Sequence, residues 1–197
     1  MRSACRSRPL YDETALIERA RDGDLDAYQV LVREHQHAAV RLAAAVSGGW
    51  GDPEGVAQEA FVKAYGALRR FRSDAAFKPW LLAIVVNEAR NARRSAQRQH
   101  RLAERLAAQP EADGASPEMV VLDFAERRLV LAAVERLPRR QREALACRYL
   151  LELSEAETAA VLRIPRGTVK SRVSRALRML RADLTATHAS RRSREVT

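Results

Sequence analysis

The chain has 197 residues, with 35 lysines and arginines against 25 aspartates and glutamates, so its formal net charge is +10. This excess of positive charge indicates a polyanionic partner, and the 47% hydrophobic content supports packed cores for one large or two small domains. Neither an apolar run near the ~20 residues of a membrane span nor an export signal is visible, so we expect a cytoplasmic protein without membrane insertion.

The sequence carries no motif typical of an enzyme or a metal site. It has no nucleotide-binding loop and no arrangement typical of a catalytic triad. Its two cysteines, Cys5 and Cys147, share no metal-ligand spacing with the four histidines, and a disulfide framework is not expected from them. We therefore predict no catalytic residue, no metal and no cofactor, and the roles of Cys5 and Cys147 stay open.

Helical periodicity without strand alternation predicts an all-α protein. In chain order, helices are predicted over residues 12–21, 24–46, 53–69, 77–105, 117–136, 138–150, 154–162 and 165–183. Residues 1–10 and 185–197 are predicted as disordered tails, and residues 106–118, rich in proline, glycine and acids, as a linker. We therefore predict two small helical domains, at 11–105 and 119–184, joined by a flexible linker.

Charge is distributed unevenly between these parts. Residues 11–64 and 106–137 carry more acids than bases, whereas residues 69–105 and 138–181 carry more bases than acids. Two basic blocks far apart in the sequence predict two contacts with one long anion, or two separate domains.

A polar stripe runs along the predicted helix at 77–105. Its members are seven, four, three and four positions apart and line up along one edge: Trp80, Asn87, Asn91, Arg94 and Arg98. Asparagine amides can pair with base edges, and arginine neutralises phosphates. The alternative is a solvated edge beside a half-buried tryptophan, but two asparagines leading into an arginine run favour nucleic acid.

Aromatic residues are concentrated around the start of this helix. Half of the ten aromatics fall within twenty residues: Phe61, Tyr65, Phe71, Phe77 and Trp80. We expect most of them in the core, and one or two exposed rings to be available for stacking on unpaired bases.

The C-terminal helices predict a helix-turn-helix. Ser154 and Glu157 fit a capping box, which starts the first helix of the pair. In the second, Val169, Val173, Ala176, Leu177 and Leu180 recur at three- and four-residue steps and form one apolar stripe. The opposite side, with Lys170 at its edge, is polar and basic: Ser171, Ser174, Arg175 and Arg178. One face is therefore suited to packing and the other to an anion such as DNA.

Two segments of the chain resemble a known family. The segment DPEGVAQEAFVKAYGALRRFRSDAAFKPWLLAIVVNEARNARR resembles the second conserved region of bacterial sigma factors. The segment LPRRQREALACRYLLELSEAETAAVLRIPRGTVKSRVSRALRMLR resembles their fourth region. With little between them, the chain is similar to the extracytoplasmic-function group of the sigma-70 family over residues 10–183.

The resemblance implies an alternative sigma factor rather than an enzyme. Such a protein binds the β and β′ subunits of core RNA polymerase and directs promoter recognition and transcription initiation. It reads the −35 duplex through a winged-helix-like, four-helix domain and captures the melted −10 strand with its first domain. An anti-sigma factor is a further implied partner.

The resemblance also implies three sets of site residues. The expected −35 readers are Arg166, Thr168, Lys170, Ser171, Arg172, Ser174, Arg175 and Arg178. The expected −10 contacts are Ser73, Asp74, Phe77, Trp80, Asn87, Arg90, Asn91 and Arg94. The expected contacts with core polymerase are Asp52, Glu54, Gln58, Glu59 and Phe61.

Three positions depart from the family pattern. Gly55 stands where an acid is usual, and Pro79 lies at the start of the helix that captures bases. Arg163 occupies a turn position where glycine is frequent, and a left-handed conformation there costs on the order of 1 kcal/mol.

The main alternative is a helix-turn-helix regulator that binds duplex operator DNA without polymerase. It explains residues 138–183 but gives no role to the Asn87–Arg98 stripe.

Overall fold

The computed structural model describes residues 12–72, 75–106 and 123–195, and every regular element within these ranges is a helix. In chain order the α-helices are α1 (Glu13–Arg21), α2 (Leu25–Ser47), α3 (Pro53–Ala67), α4 (Phe77–Leu106), α5 (Asp123–Arg136), α6 (Arg139–Leu145), α7 (Glu155–Leu162) and α8 (Arg166–Glu195). A short 3-10 turn, Leu68–Arg70, follows α3, and a single π turn, Ala146–Leu150, follows α6. The all-α prediction is confirmed.

Aspartate side chains start the first three helices. Asp12 accepts from the Thr14 amide, and Asp24 accepts from the Ala27 amide, each at 3.0 Å. The Ala27 amide and the Arg19 side chain hold the pKa of Asp24 below its usual value, because both bond to the carboxylate. Asp52 accepts from two amides at the start of α3. These caps explain why the sequence-based starts agree with the structure to within one residue.

The first domain consists of α1 to α4, with α4 packed against both α2 and α3. Its core is aliphatic, and its most deeply buried large side chains include Leu31, Leu42, Leu81, Leu82 and Val85. These residues recur at helical spacing on the inner faces of α2 and α4, so burying them fixes how the two helices cross.

The second domain consists of α5 to α8. Helix α8 contacts α5, α6 and α7, and its buried anchors are Val169 and Ala176. The predicted capping box is present at α7, since Ser154 and Glu157 each bond the other's backbone amide. Helices α7 and α8 are joined by a short turn, so the helix-turn-helix prediction is confirmed.

The two domains pack against each other. Helix α4 contacts α7, and α2 contacts α6. Buried residues of the second domain, including Cys147, Leu151 and Val161, belong to the same hydrophobic cluster as those of the first. Helical periodicity had predicted the apolar faces but not this contact.

The C-terminal tail was predicted wrongly. Residues 185–197 were expected to be disordered, whereas α8 continues to Glu195. The segment after Leu184 contains neither glycine nor proline, so nothing in it stops a helix. The hydroxyls of Thr185 and Thr187 also donate to backbone oxygens four residues earlier, at 2.8 and 2.9 Å, which is compatible with helical geometry.

Some predictions fall on residues outside the described ranges. These are the tail at 1–10, all of the 106–118 linker except Leu106, and the first part of the helix predicted at 117–136. Leu106 itself is the last residue of α4.

Arg163 adopts the left-handed conformation that its position suggested. It caps the C-terminus of α7 with φ 54° and ψ 53°.

We expect Arg163→Gly to stabilise the protein by about 0.5–1 kcal/mol, because glycine adopts this conformation without steric cost but loses more chain entropy on folding. Urea unfolding followed by circular dichroism measures the difference. Arg163→Ala is the matched control, since it removes the exposed side chain but keeps the strain. Equal stabilisation by both substitutions would contradict a backbone origin.

Candidate nucleic-acid interface

The predicted stripe forms one edge of α4. Asn91 and Arg94 are exposed, and Asn87 and Trp80 are half-buried. Arg94 donates to the Asn91 side-chain oxygen at 2.7 Å. This bond leaves the Asn91 amide nitrogen directed away from Arg94 and available as a donor. Four of the eight expected −10 residues therefore lie together on an accessible edge.

An aromatic cluster supports the start of this edge. The Trp80 ring lies 4.8 Å from the Phe71 ring and 5.5 Å from the Phe77 ring, measured between centroids. Phe71 and Phe77 are buried, whereas Trp80 is partly exposed. Trp80 is thus the ring of this cluster that can stack on a base without unfolding the core.

Phe77 does not occupy the position expected of a base contact. Only 1% of its surface is exposed, and its ring packs beside His35 at 5.3 Å as well as beside Phe71. Its hydrophobic character fits both roles, but the structure places it in the core. Ser73 and Asp74, the other expected contacts before α4, lie outside the described residues.

Arg90 points away from the polar stripe. Its guanidinium bonds the Glu143 carboxylate in α6 of the second domain, with N–O distances of 2.6 and 3.3 Å. Glu143 is fully buried, and Arg139 also approaches it, at 3.3 Å. The expected −10 role of Arg90 therefore does not fit this arrangement, in which the residue joins the two domains.

Arg142 forms a second link between the domains. Its Nε donates to the Ala45 carbonyl in the last turn of α2, at 2.8 Å, and another nitrogen donates to the Glu135 carbonyl at 2.8 Å. Gly48 caps α2 with φ +59°, and a Cβ there would lie 2.2 Å from an Arg142 nitrogen. Burial, together with nearby Arg93, lowers the pKa of Arg142. We call Arg90, Arg139, Arg142 and Glu143 the interdomain clasp.

The expected −35 face of α8 is largely accessible. Its exposed members are Arg166, Lys170, Ser171, Ser174, Arg175 and Arg178. Thr168 is half-buried, and its carbonyl accepts from the Ser171 hydroxyl at 3.1 Å. On the packed side, Val169 and Ala176 are fully buried, while Leu177, expected within the apolar stripe, is 40% exposed.

Arg172 differs from its neighbours on α8. It is half-buried, and burial followed by the charge of Arg140 lowers its pKa. The charges of Glu143 and Arg90, both in the clasp, also influence its pKa. Its expected role in reading the −35 element stays a prediction.

The sequence interpretation missed part of the groove beside α8. Arg148, Tyr149 and Arg181 line this groove together with Lys170, Ser174 and Arg178. Tyr149 is 62% exposed. Arg181 was detectable, since it continues the basic stripe three residues after Arg178, but Tyr149 was not, because its exposure depends on the π turn.

The expected polymerase contacts divide between two surfaces of α3. Glu54 and Gln58 are exposed and line a groove between α2 and α3. Glu59 lies on the other side, in a depression that also contains Asp52, Asn91 and Arg98. Of the polymerase candidates, Asp52 and Glu59 therefore adjoin the polar edge of α4.

Two of these candidates, Asp52 and Phe61, also stabilise the fold of the first domain. Asp52 caps α3, bonding the Glu54 and Gly55 amides at 3.0 and 2.9 Å. A Cβ on Gly55 would lie 2.6 Å from an Asp52 oxygen, so the unusual glycine permits this tight cap. Phe61 is 7% exposed, and its carbonyl accepts from the Tyr28 hydroxyl at 2.6 Å. Phe61 is thus a core residue that lines the floor of the α2–α3 groove.

Neither a metal centre nor a membrane span is found in the part of the chain that the structure describes. Within it, no three histidine, cysteine, aspartate or glutamate side chains are grouped as metal ligands would be. None of the helices there is both long and apolar enough to cross a bilayer.

Comparison with known proteins identifies both domains. The family model described as Sigma-70 region 2 matches residues 31–99, and the one described as Sigma-70, region 4 matches residues 127–180. The ECF RNA polymerase sigma-E factor of Escherichia coli (strain K12) is 38% identical over 178 residues, covering 86% of this chain and 92% of that protein.

Two solved structures are similar over most of the chain. The structure of CnrH in complex with the cytosolic domain of CnrY has 27% identity and a TM-score of 0.64, covering 88% of this chain and 97% of that one. The sigma factor RpoE, in complex with the anti-sigma factor NepR from Bartonella quintana, has 24% identity and a TM-score of 0.63, covering 80% and 96%. The second likeness concerns the fold alone.

Cys147 provides a probe of the domain contact. It is fully buried, and burial raises the pKa of its thiol to about 12. In a Cys5→Ser background, we expect iodoacetamide at pH 8 to modify Cys147 at least about 100-fold more slowly in the native protein than in urea, because the thiolate is the reactive form. Mass spectrometry measures both rates. Comparable rates would show that the closed arrangement is not the main state in solution.

Proposed function

Because the chain belongs to the extracytoplasmic-function group of the sigma-70 family, we propose that its two exposed basic faces read two separate promoter elements. The protein is an alternative sigma factor, which associates with core RNA polymerase and directs promoter recognition and transcription initiation. Sigma factors are not enzymes in the usual sense, and we propose that this one acts by binding alone, in the cytoplasm.

The observation that carries the assignment is the presence of one accessible polar face on each domain. The α4 edge combines Trp80 with two asparagine amides, and α8 presents serines and arginines opposite its buried anchors. A single face would serve a regulator that binds duplex operator DNA. The family match at residues 31–99 excludes that alternative, since such a regulator has no sigma region 2.

We assign capture of the melted −10 strand to the α4 edge. A base removed from the duplex loses stacking worth a few kcal/mol, and an aromatic ring can offset about 1–3 kcal/mol of that loss. Trp80 offers the ring, Asn87 and Asn91 offer amides that can pair with an unpaired base, and Arg94 and Arg98 are suited to the backbone phosphates. No ATP is needed if binding supplies this free energy.

We assign −35 reading to α8, placed in the major groove as in other helix-turn-helix proteins. Ser174 and Arg175 are the candidates for base contacts, and Arg166 and Arg178 for phosphates. Arginine can form two bonds to guanine, which makes Arg175 the strongest candidate for sequence discrimination.

We assign the polymerase contact to the acidic surface of α3. Glu54 and Gln58 lie on a groove of mixed polar and apolar lining between α2 and α3, which we propose receives a helix of the β′ subunit, with Glu59 on the adjoining side. The acidic character of this surface suits a basic or polar protein partner better than DNA.

The clasp must open for both faces to act on one promoter. The −10 and −35 elements lie about 25 base pairs, or about 85 Å, apart along the DNA. In the closed arrangement the domains abut, with Arg90 and Glu143 atoms 2.6 Å apart. We therefore propose that core polymerase binds the open form, and that an anti-sigma factor acts by preventing this opening.

The −10 assignment predicts a specific defect. We expect Asn87→Ala and Asn91→Ala to impair open-complex formation, each by about 1–3 kcal/mol, because each removes an amide that can bond a base. Permanganate footprinting measures melting, and a pull-down measures attachment to core polymerase, which should not change. Gln99→Ala is the control, since Gln99 is exposed on the same helix outside the stripe. Normal melting in both asparagine variants would contradict the assignment.

The −35 assignment separates two kinds of arginine. We expect Arg175→Ala to reduce discrimination between −35 sequences by about 1–3 kcal/mol, because it removes a base contact. Arg178→Ala should weaken initiation at all sequences alike and lower the salt dependence of binding, because it removes a phosphate contact. Run-off transcription over a set of −35 variants at two salt concentrations measures both effects. Identical profiles for the two variants would contradict the division of roles.

A further inference from the structure

Arg21, the last residue of α1, reaches the chain shortly before α4. Its Nε donates to the Leu68 carbonyl at 3.2 Å, and a second guanidinium nitrogen donates to the Phe71 carbonyl. These oxygens lie 47 and 50 residues further along the sequence. The planar fork of arginine donates to both, which fixes the backbone at the first residue of the 3-10 turn and at the residue that follows the turn.

The same guanidinium also contacts the aromatic cluster. It lies over the Phe71 ring, 6.0 Å from the centroid, as a cation–π pair does. The Phe71 ring in turn lies 4.8 Å from the Trp80 ring, with 52° between their planes. Arg21 therefore holds both the backbone and the ring of the residue that supports Trp80.

We propose that Arg21 is a positioning residue for −10 capture: it fixes Phe71, and Phe71 holds the Trp80 ring in the orientation that accepts a base. This inference rests on the proposed function, in which Trp80 stacks on the melted strand. Arg21 itself need not touch DNA. Its effect is to keep the ring oriented before the base arrives, so that less free energy is lost on ordering the ring during binding.

The charge environment supports a structural hold rather than a DNA contact. Two carbonyl oxygens and the face of an aromatic ring lie against the guanidinium, and each of them attracts a cation. Arg19, two residues earlier, is different. It is exposed and pairs with Asp24 at 2.6 Å on the surface, away from the cluster. Arg19 is therefore a matched control on the same helix.

The test uses the full chain assembled with core polymerase. The probe is a single-stranded oligonucleotide selected from a randomised pool by the wild-type holoenzyme. Arg21→Ala should weaken oligonucleotide binding about 3- to 10-fold. Arg21→Lys keeps the charge but not the planar fork, so its affinity should lie between those of the wild type and Arg21→Ala. Assembly with core polymerase and the thermal unfolding midpoint of Arg21→Lys should match those of Arg19→Ala.

A double-mutant cycle with Trp80→Leu separates positioning from general structural support. If Arg21 acts through Trp80, then Arg21→Ala causes no further loss of oligonucleotide binding in the Trp80→Leu background. An equal loss in both backgrounds overturns the proposal, as does unchanged binding by both Arg21 variants while Trp80→Leu weakens it. If Trp80→Leu itself binds as the wild type does, then the stacking role of Trp80 fails, and the proposal fails with it.

Discussion

The buried carboxylate of Glu143 is the constraint on which the closed arrangement depends. A fully buried charge is tolerated only with partners, and here these are Arg90 from the other domain and Arg139 from its own helix. Removing Arg90 inside the closed state leaves the Glu143 charge buried with one partner fewer, whereas separating the domains takes Arg90 away as a whole domain moves and leaves Arg139 beside Glu143. The clasp is therefore specific for one domain arrangement.

Several residues that the family resemblance singles out also have structural duties. Asp52 caps α3, Phe61 and Phe77 lie in the core, and Arg90 belongs to the clasp. The accessible groups are their neighbours on the same helices: Glu54, Gln58, Trp80 and Asn91. Each binding surface is thus a thin exposed layer over a tightly packed support. Such a support suits the proposed capture of a flipped base, because the supporting rings are ordered before DNA arrives.

The helices and their order were predictable from the sequence because caps and periodicity are local. Ser154 with Glu157 defined α7, and the stripe of Trp80, Asn87, Asn91 and Arg94 was visible from spacing alone. The domain contact was not predictable, because periodicity defines a buried face but not the partner that covers it. Arg90 illustrates the limit: its spacing and charge suit DNA, and only the fold brings Glu143 to it. Exposure of Trp80 but burial of Phe77 likewise depends on tertiary packing.

The proposed promoter reading requires the open form, and the closed form lowers the fraction of molecules that are open. A partner shifts the equilibrium between the closed and open forms only by the difference between its binding free energies for the two forms. Core polymerase binds the open form more tightly than the closed form if its contact sites for α3 and for the second domain are further apart than the closed form allows. DNA adds to this preference only after both faces are presented. In the proposed order polymerase binds first, and the weak readings of the −10 and −35 elements would then multiply because both faces are held to one enzyme. In the free protein Arg90 and Glu143 join the two domains, so the two accessible faces do not reach both elements of one promoter together.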